Sequence, residues 1–196
     1  MLKTTRVGLG GDLRRLRAPA ALRRLLRRED GAAAIEFALV AVPFLALLFA
    51  IIETALVFFA GQYLETVVAD SSRLIMTGQV QTQGMSQSQF LSQVCGKIVA
   101  LFNCNSLIVD VQKYTAYSGA NTTRPLSNGN LAFATNAQGQ PVTNFQPGGP
   151  GDIVVERIMY EWPVWVWFPG LTSLSDMNNK KRLLMATAAF TNEPYQ

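Results

Sequence analysis

A long apolar run over residues 32–60 constrains this chain more than any other feature, because its only charged residues are Glu36 and Glu53. Residues 37–52 contain no charge over sixteen positions. About 20 helical residues, at about 1.5 Å each, cross a hydrocarbon core about 30 Å thick. Signal peptides have shorter apolar regions of about 7–15 residues, and helices buried in soluble proteins are rarely apolar on all sides. The run therefore predicts a retained transmembrane helix over residues 32–60.

Basic residues are concentrated before this run. Residues 1–30 hold nine Lys and Arg against three Asp and Glu, a net charge of +6, whereas residues 31–196 carry −2. Nucleic-acid-binding arms and mitochondrial presequences are also Arg-rich, but no aromatic residue is interleaved here and the apolar run follows directly. Basic residues beside a transmembrane helix stay on the cytoplasmic side. The pattern predicts a basic cytoplasmic segment over residues 1–31, an exported domain beyond the helix, and no nucleic-acid partner.

Three residues inside the apolar run need an explanation. Glu36 would cost about 2.5–3.5 kcal/mol at the bilayer centre and less toward the edge, so it either has a partner or sits at the interface. Pro43 removes one helical hydrogen bond, which membrane helices tolerate when neighbouring groups satisfy the freed carbonyl. Glu53 is expected near the outer interface, where its cost is small.

Three segments resemble one family. They are RREDGAAAIEFALV at residues 27–40, SRLIMTGQ at residues 72–79, and AAFTNEPY at residues 188–195. The first resembles the N-terminal region of TadE-like proteins, which are minor-pilin-like components of the tight-adherence (Tad/Flp) pilus system. The other two resemble that family's helix end and its closing strand and tail. The resemblance covers both ends of the chain and thins out over residues 105–150.

The resemblance implies a processing site. Pilin-like precursors are cut by a membrane aspartic peptidase after a glycine, five residues before a glutamate. Here the cut would fall between Gly31 and Ala32, and Glu36 would become the fifth residue of the mature chain. A buried Glu36 carboxylate could then pair with the new amine of a neighbouring subunit, which offsets the burial of both charges. Some TadE-like proteins keep the leader as an anchor, so both forms stay open.

The resemblance also implies a function and a location. The chain is expected to be a minor-pilin-like (pseudopilin) subunit of a Tad-type pilus or secretion assembly, single-pass in the bacterial inner membrane, with a periplasmic C-terminal domain. Its expected partners are other pilin-like subunits, Tad assembly proteins and, if the leader is cut, a prepilin-type peptidase. It could enter the pilus, prime it or stay as a scaffold. The alternative is a bitopic binding or adhesion module unrelated to pili.

Cys95 and Cys104 are the only cysteines, with eight residues between them. In the cytosol they could be free thiols or half of a metal site, although zinc would need two more ligands and the chain has no His. In an oxidising periplasm a disulfide is the natural interpretation. We therefore predict a Cys95–Cys104 disulfide.

The remaining sequence predicts an α+β fold, in which the long N-terminal helix extends into an exported domain with a small antiparallel sheet. Apolar residues at helical spacing continue the helix over residues 61–78, ending near Gly78. The exported domain is predicted over residues 79–196. Within it we expect a polar linker at 79–88, a helix at 88–102, strands at 107–112, 152–160 and 183–190, and a long loop at 117–150.

Residues 160–168 are unusually aromatic, and they include Trp162, Trp165 and Trp167. Trp is favoured at membrane interfaces and at partner-binding surfaces. It also supplies a large buried area when a strand packs against a helix. We expect packing against the long helix, with membrane or partner contact as the alternatives.

Enzyme activity is not predicted, and neither a metal nor a cofactor is expected. The lack of His excludes His-based triads and His metal sites. There is no P-loop or dinucleotide fingerprint, and the glycines at residues 8–11 lie in the basic segment without a preceding strand. The carboxylates are scattered, so no glycosidase-like pair can be named.

Overall fold

The computed structural model describes residues 31–98, 101–165 and 174–195. The predictions for residues 1–30 and for Trp167 and Phe168 lie outside this part of the chain. The helices are α1 (Ala32–Met76), α2 (Gln79–Thr82) and α3 (Gln87–Lys97), with single 3₁₀ turns at Cys104–Ser106 and Tyr117–Gly119. The strands are β1 (Leu107–Tyr114), β2 (Leu126–Ser127), β3 (Asn130–Leu131), β4 (Ile153–Pro163) and β5 (Lys181–Thr191). We call residues 77–195 the head.

The chain divides into two compact units, residues 1–47 and residues 48–196, and α1 contributes to both. In the first unit, every large apolar side chain of α1 from Ile35 to Leu47 is exposed, as Phe37 (75 %) and Leu39 (71 %) illustrate. The helix is continuous through Pro43. By length and composition α1 can cross a membrane, with a mean hydropathy of 2.6 over its most apolar window.

In the second unit, the later part of α1 packs against the sheet. Its buried apolar residues recur at every third or fourth position, which places them on one helix face. They are Val57, Ala60, Leu64, Val67, Val68 and Ile75. From residue 62 onward the exposed positions behind this stripe are mostly polar, as Gln62, Glu65 and Asp70 illustrate, so α1 is amphipathic there.

The sheet has three antiparallel strands in the order β1-β4-β5. Residues 153–160 of the central strand pair on both sides: Tyr160 lies opposite Leu107 of β1 and opposite Leu184 of β5. A long apolar helix followed by a small antiparallel sheet confirms the predicted α+β class. The predicted strands are all present, but β1, β4 and β5 are longer than expected.

The two faces of the sheet are covered differently. Val109, Val154 and Ile158 face the core formed with α1. On the opposite face, Met159 and Leu183 pack with Met177 and with residues of the long loop. That loop contains the short hairpin of β2 and β3. Both faces are therefore protected from solvent by apolar contacts.

The segment after α1 differs from the predicted linker. Gln79–Thr82 forms a helical turn, and Val80 is 1 % exposed because it joins the main core. The capping box of Ser86 and Gln89 then starts α3 at Gln87. This helix ends at Lys97, earlier than the predicted end at residue 102.

Residues 192–195 fold over the end of α1. The Glu193 backbone N–H donates to the Met76 carbonyl at 2.9 Å, which satisfies one of the unpaired carbonyls of the last helical turn. Gly78 has a φ of 75°, and a Cβ there would overlap the ring of Tyr195. Glycine is therefore required at this position by both the backbone and the ring.

Candidate functional site

The predicted processing site lies at the start of α1. Gly31 directly precedes the helix, whose first residue is Ala32. Glu36 follows one turn later, on the same face as Ala32, and is exposed. The structure thus places the three predicted residues within about 8 Å along one helix end. The residues before Gly31 lie outside the described part.

Among the described residues, nothing requires glycine at position 31. Its backbone φ is not in the left-handed region, and a Cβ would meet nothing within 4 Å. Gly78 differs on both counts. A glycine without a steric role is compatible with a role in recognition by another protein.

A second carboxylate of α1, Glu53, is buried at 5 % exposure. Its Oε1 accepts a hydrogen bond from the Trp165 backbone N–H at 2.5 Å, across 112 residues of sequence. Glu53 was expected to lie at an interface at small cost. That expectation stays a prediction; within the protein, Glu53 is a fixed acceptor that attaches the segment after β4 to α1.

A third carboxyl group, Glu156, lies between β4 and α1 and is fully buried. The Ser71 hydroxyl of α1 donates to its Oε1 at 2.6 Å, and its Oε2 has no hydrogen-bond partner among the described residues. Burial raises the pKa of Glu156 to about 8, while the Ser71 hydrogen bond and the Lys97 charge oppose the shift. Glu156 is therefore mostly protonated at neutral pH, which avoids an unpaired buried charge.

The opposite face of the sheet contains a buried ion pair. Arg157 Nη2 lies 2.6 Å from Asp110 Oδ2, with side-chain exposures of 5 % and 0 %. Asp110 Oδ1 also accepts from the Asn144 backbone N–H at 2.9 Å. The pair joins β1, β4 and the long loop, and breaking one partner would leave an uncompensated buried charge. We assign it a structural role.

The structure contains the predicted disulfide. Cys95 of α3 and Cys104 of the turn before β1 are bonded, with their Cα atoms 5.7 Å apart. The bridge links the helix that packs beside α1 to the first strand of the sheet.

The aromatic stretch separates into buried and exposed parts. Phe102 packs against Tyr160 and Trp162, with ring centroids 4.9 and 5.9 Å apart, and Trp162 is 6 % exposed. Packing against the helix side of the sheet is therefore correct for Tyr160 and Trp162. Trp165, in contrast, is 73 % exposed.

An open cleft of about 620 Å³ lies beside the start of β1. Its walls include Leu91, Ile108 and Pro141, and its charged residues Glu161 and Lys181 pair with each other at 2.7 Å. No group of three His, Cys, Asp or Glu in the described ranges could hold a metal ion. The cleft is concave and weakly polar, because Glu161 and Lys181 neutralise each other.

Sequence reasoning did not identify Glu156, Asp110 or Arg157. The available signal was a charged residue inside an otherwise apolar strand pattern, as in Val154-Val155-Glu156 and Val109-Asp110-Val111. Such a residue on a two-sided buried strand must find a partner or lose its charge. The pattern indicates burial, but it does not name the partner.

Comparison with known proteins gives one family match. The family model described as TadE-like protein matches residues 31–73. The match begins at Gly31 and covers most of α1, and it agrees with the family resemblance predicted from the sequence. No curated protein and no solved structure matches the chain.

Proposed function

We propose that this TadE-like chain is a single-pass, minor-pilin-like subunit of a Tad-type pilus or secretion assembly. In this proposal α1 assembles with other helices in the inner membrane, and the head makes contacts on the periplasmic side. Its partners would be other pilin-like subunits and Tad assembly proteins. The role is structural, in keeping with the family.

One observation carries the proposal: α1 is a continuous helix of 45 residues with two kinds of surface. Its first part exposes apolar side chains all round, and its later part buries one stripe against the sheet. The TadE-like match lies on this helix. A helix of this kind can anchor the chain by its first part and pack against the sheet of the head by its later part.

The orientation follows from charge. Residues 1–30 carry a net charge of +6, which favours their retention on the cytoplasmic side. Reporter fusions after Gly11 and after Gly84 test this. We expect a periplasmic reporter to be active only after Gly84, and activity after Gly11 would overturn the orientation.

Processing between Gly31 and Ala32 forms part of the proposal. Two features support it: Gly31 has no steric role, and Glu36 is exposed one turn from Ala32. The cut would place a new α-amine within reach of carboxylates on neighbouring helices, including Glu36 of another subunit. Intact mass of the chain from its own host decides the point, since the uncut chain is 21.5 kDa.

The proposed function is tested by isolating the tagged full chain from its native host after cross-linking. We expect Tad assembly proteins and pilin-like subunits to be recovered with it. A variant in which residues 32–52 are replaced by an unrelated apolar helix of equal length serves as the control, because it keeps the head and the anchor. Equal recovery with the control, or recovery of the chain alone, would favour the membrane-anchored adhesion module instead.

A further inference from the structure

We propose that the end of the head that carries Trp165 rests in the headgroup layer of the membrane, with Trp165 as its aromatic anchor and the basic residues beside it facing lipid phosphates. This inference rests on the single-span arrangement proposed above. It assigns a lipid-binding surface to the head itself, in addition to the anchor formed by α1.

The depth of Trp165 follows from its contact with Glu53. The charge-free stretch of residues 37–52 ends directly before Glu53, so Glu53 marks the end of the most apolar part of the helix. The hydrogen bond of 2.5 Å from the Trp165 N–H to Glu53 fixes Trp165 at the same level. Trp prefers the boundary between hydrocarbon and headgroups, where its ring is apolar and its N–H is polar.

The back of α1 at this level is also apolar. Val57 and Ala60 are buried, but Phe58 and Phe59 between them are 68 % and 57 % exposed. The apolar run of 29 residues from 32 to 60 would be about 43 Å long as a helix. That length exceeds the hydrocarbon core of about 30 Å and equals a bilayer with its headgroup layers, about 40–45 Å. Phe58 and Phe59 would therefore lie in the interfacial layer, as would Trp165.

Basic residues share this end of the sheet. Lys180, Lys181 and Arg182 are consecutive, and the Lys180 carbonyl accepts from the Val164 backbone N–H at 3.2 Å. Glu161 pairs with Lys181 at 2.7 Å, and Lys180 is exposed.

The nearby acidic group Asp176 pairs with Arg124 at 2.5 Å. The local basic residues Arg124, Lys180, Lys181 and Arg182 outnumber the carboxylates Glu53, Glu161 and Asp176 by four to three. The resulting net charge of +1 complements anionic phospholipid headgroups. An exposed Trp next to an excess of basic charge favours lipid over a second apolar protein surface.

The test uses the full chain in nanodiscs and lipids brominated either near the headgroups or deep in the acyl chains. Two single-tryptophan proteins are compared: Trp162→Phe with Trp167→Phe leaves Trp165, and Trp165→Phe with Trp167→Phe leaves Trp162. We expect shallow bromines to quench Trp165 severalfold more than deep bromines, and more than they quench Trp162. If the Trp162→Phe protein fails to fold, the difference between the wild type and Trp165→Phe supplies the same measurement.

The charge contribution is tested with Lys180→Gln. Shallow quenching of Trp165 should increase when phosphatidylglycerol is added to phosphatidylcholine nanodiscs, and Lys180→Gln should reduce this increase. Lys113→Gln is the matched control, since Lys113 is exposed near the other end of the sheet, where it pairs with Asp152 at 3.6 Å.

Two outcomes would overturn the inference. Trp165 could be quenched by aqueous iodide and not by brominated lipid, which would place it in water. It could also be reached by neither quencher, which would mean that protein covers it. Flotation of the reconstituted chain with lipid reports membrane insertion separately, so a failure of the proposed anchor is distinguished from a failure of this inference.

Discussion

Up to Ile52, the large apolar side chains of α1 are exposed around the helix, whereas from Glu53 to Ile75 buried side chains recur at every third or fourth position. Both parts contain a carboxylate. Glu36 is exposed in the first part, and Glu53 accepts a hydrogen bond from the head in the second. One helix thus contains a part that suits lipid or other helices and a part that suits a specific sheet.

The difference lies in the pattern of side chains along the helix. On the sheet side of the second part, small residues such as Ala60, Ser71 and Ser72 are interspersed with Leu64 and Val67. Small residues allow close approach between packed elements, and Ser71 also supplies a hydroxyl to Glu156. A single helix can therefore encode in its own sequence where its protein contacts begin.

The largest expected effect is on the stability of the head where it packs against the second part of α1, and it comes from Glu156. Its folded pKa of about 8 exceeds its ordinary value of 4.5, so the folded head holds this proton more tightly than the unfolded chain. The stabilising contribution is complete below about pH 4.5 and is lost as the pH rises toward 8, by up to about 5 kcal/mol. Urea unfolding of the chain in detergent micelles across this range measures it. Glu156→Gln should remove most of the pH dependence, and an unchanged dependence would exclude Glu156 as its source.

A leucine pair compares the two parts directly. Leu64→Ala should lower the free energy of unfolding of the head by about 2–5 kcal/mol, because it opens a cavity at a fully buried position. Leu47→Ala, at a position 56 % exposed, should leave the head's unfolding midpoint unchanged. The same urea titration measures both. Equal losses would contradict the division of α1 into two parts.

Removing the disulfide should affect only the head. The Cys95→Ser and Cys104→Ser double variant should lose about 2–3 kcal/mol of stability, since the bridge closes a short loop in the unfolded chain. Membrane insertion, measured as resistance to carbonate extraction, should not change. In the non-reduced, denatured wild type, a thiol reagent should label neither cysteine, and labelling of both would refute the bridge.

The smallest effect on insertion is expected for Glu36. Glu36→Gln removes a charge in the exposed part, so insertion should be equal or slightly better. Recovery with other pilin-like subunits should nevertheless fall. Glu65→Gln is the matched control, because it removes the same charge from an exposed position of α1 beyond the apolar run. Equal behaviour of the two variants would end the assembly role of Glu36.

Structural features that depend on residues close together in the chain could be predicted from the sequence. The apolar run, the stripe from Leu64 to Ile75 and the spacing of Cys95 and Cys104 each depend on nearby residues, and the helix, the fold class and the disulfide follow from them. Strand ends were predicted less accurately. The strand β5 begins with the charged residues Lys181 and Arg182, whereas an apolar strand pattern starts only at Leu183.

Contacts between distant segments could not be predicted in this way. Ser71 and Glu156 are 85 residues apart, and Arg157 reaches Asp110 across 47 residues. Each of these side chains has several candidate partners of suitable chemistry in the sequence. Only the register of β4 against β1 and α1 selects one of them. The predicted cleavage at Gly31 and the assembly role of Glu36 stay predictions.

The central position of β4 also fixes an order of events during biogenesis. The strand pairs with β1 and β5 and faces α1, so the sheet cannot close until residues beyond 181 have been synthesised. The apolar segment of α1 emerges from the ribosome long before that. Long-range pairing of this kind is slow compared with helix formation. During that interval the stripe from Val57 to Ile75 is not yet covered by the sheet, and it is the surface that a chaperone would have to protect.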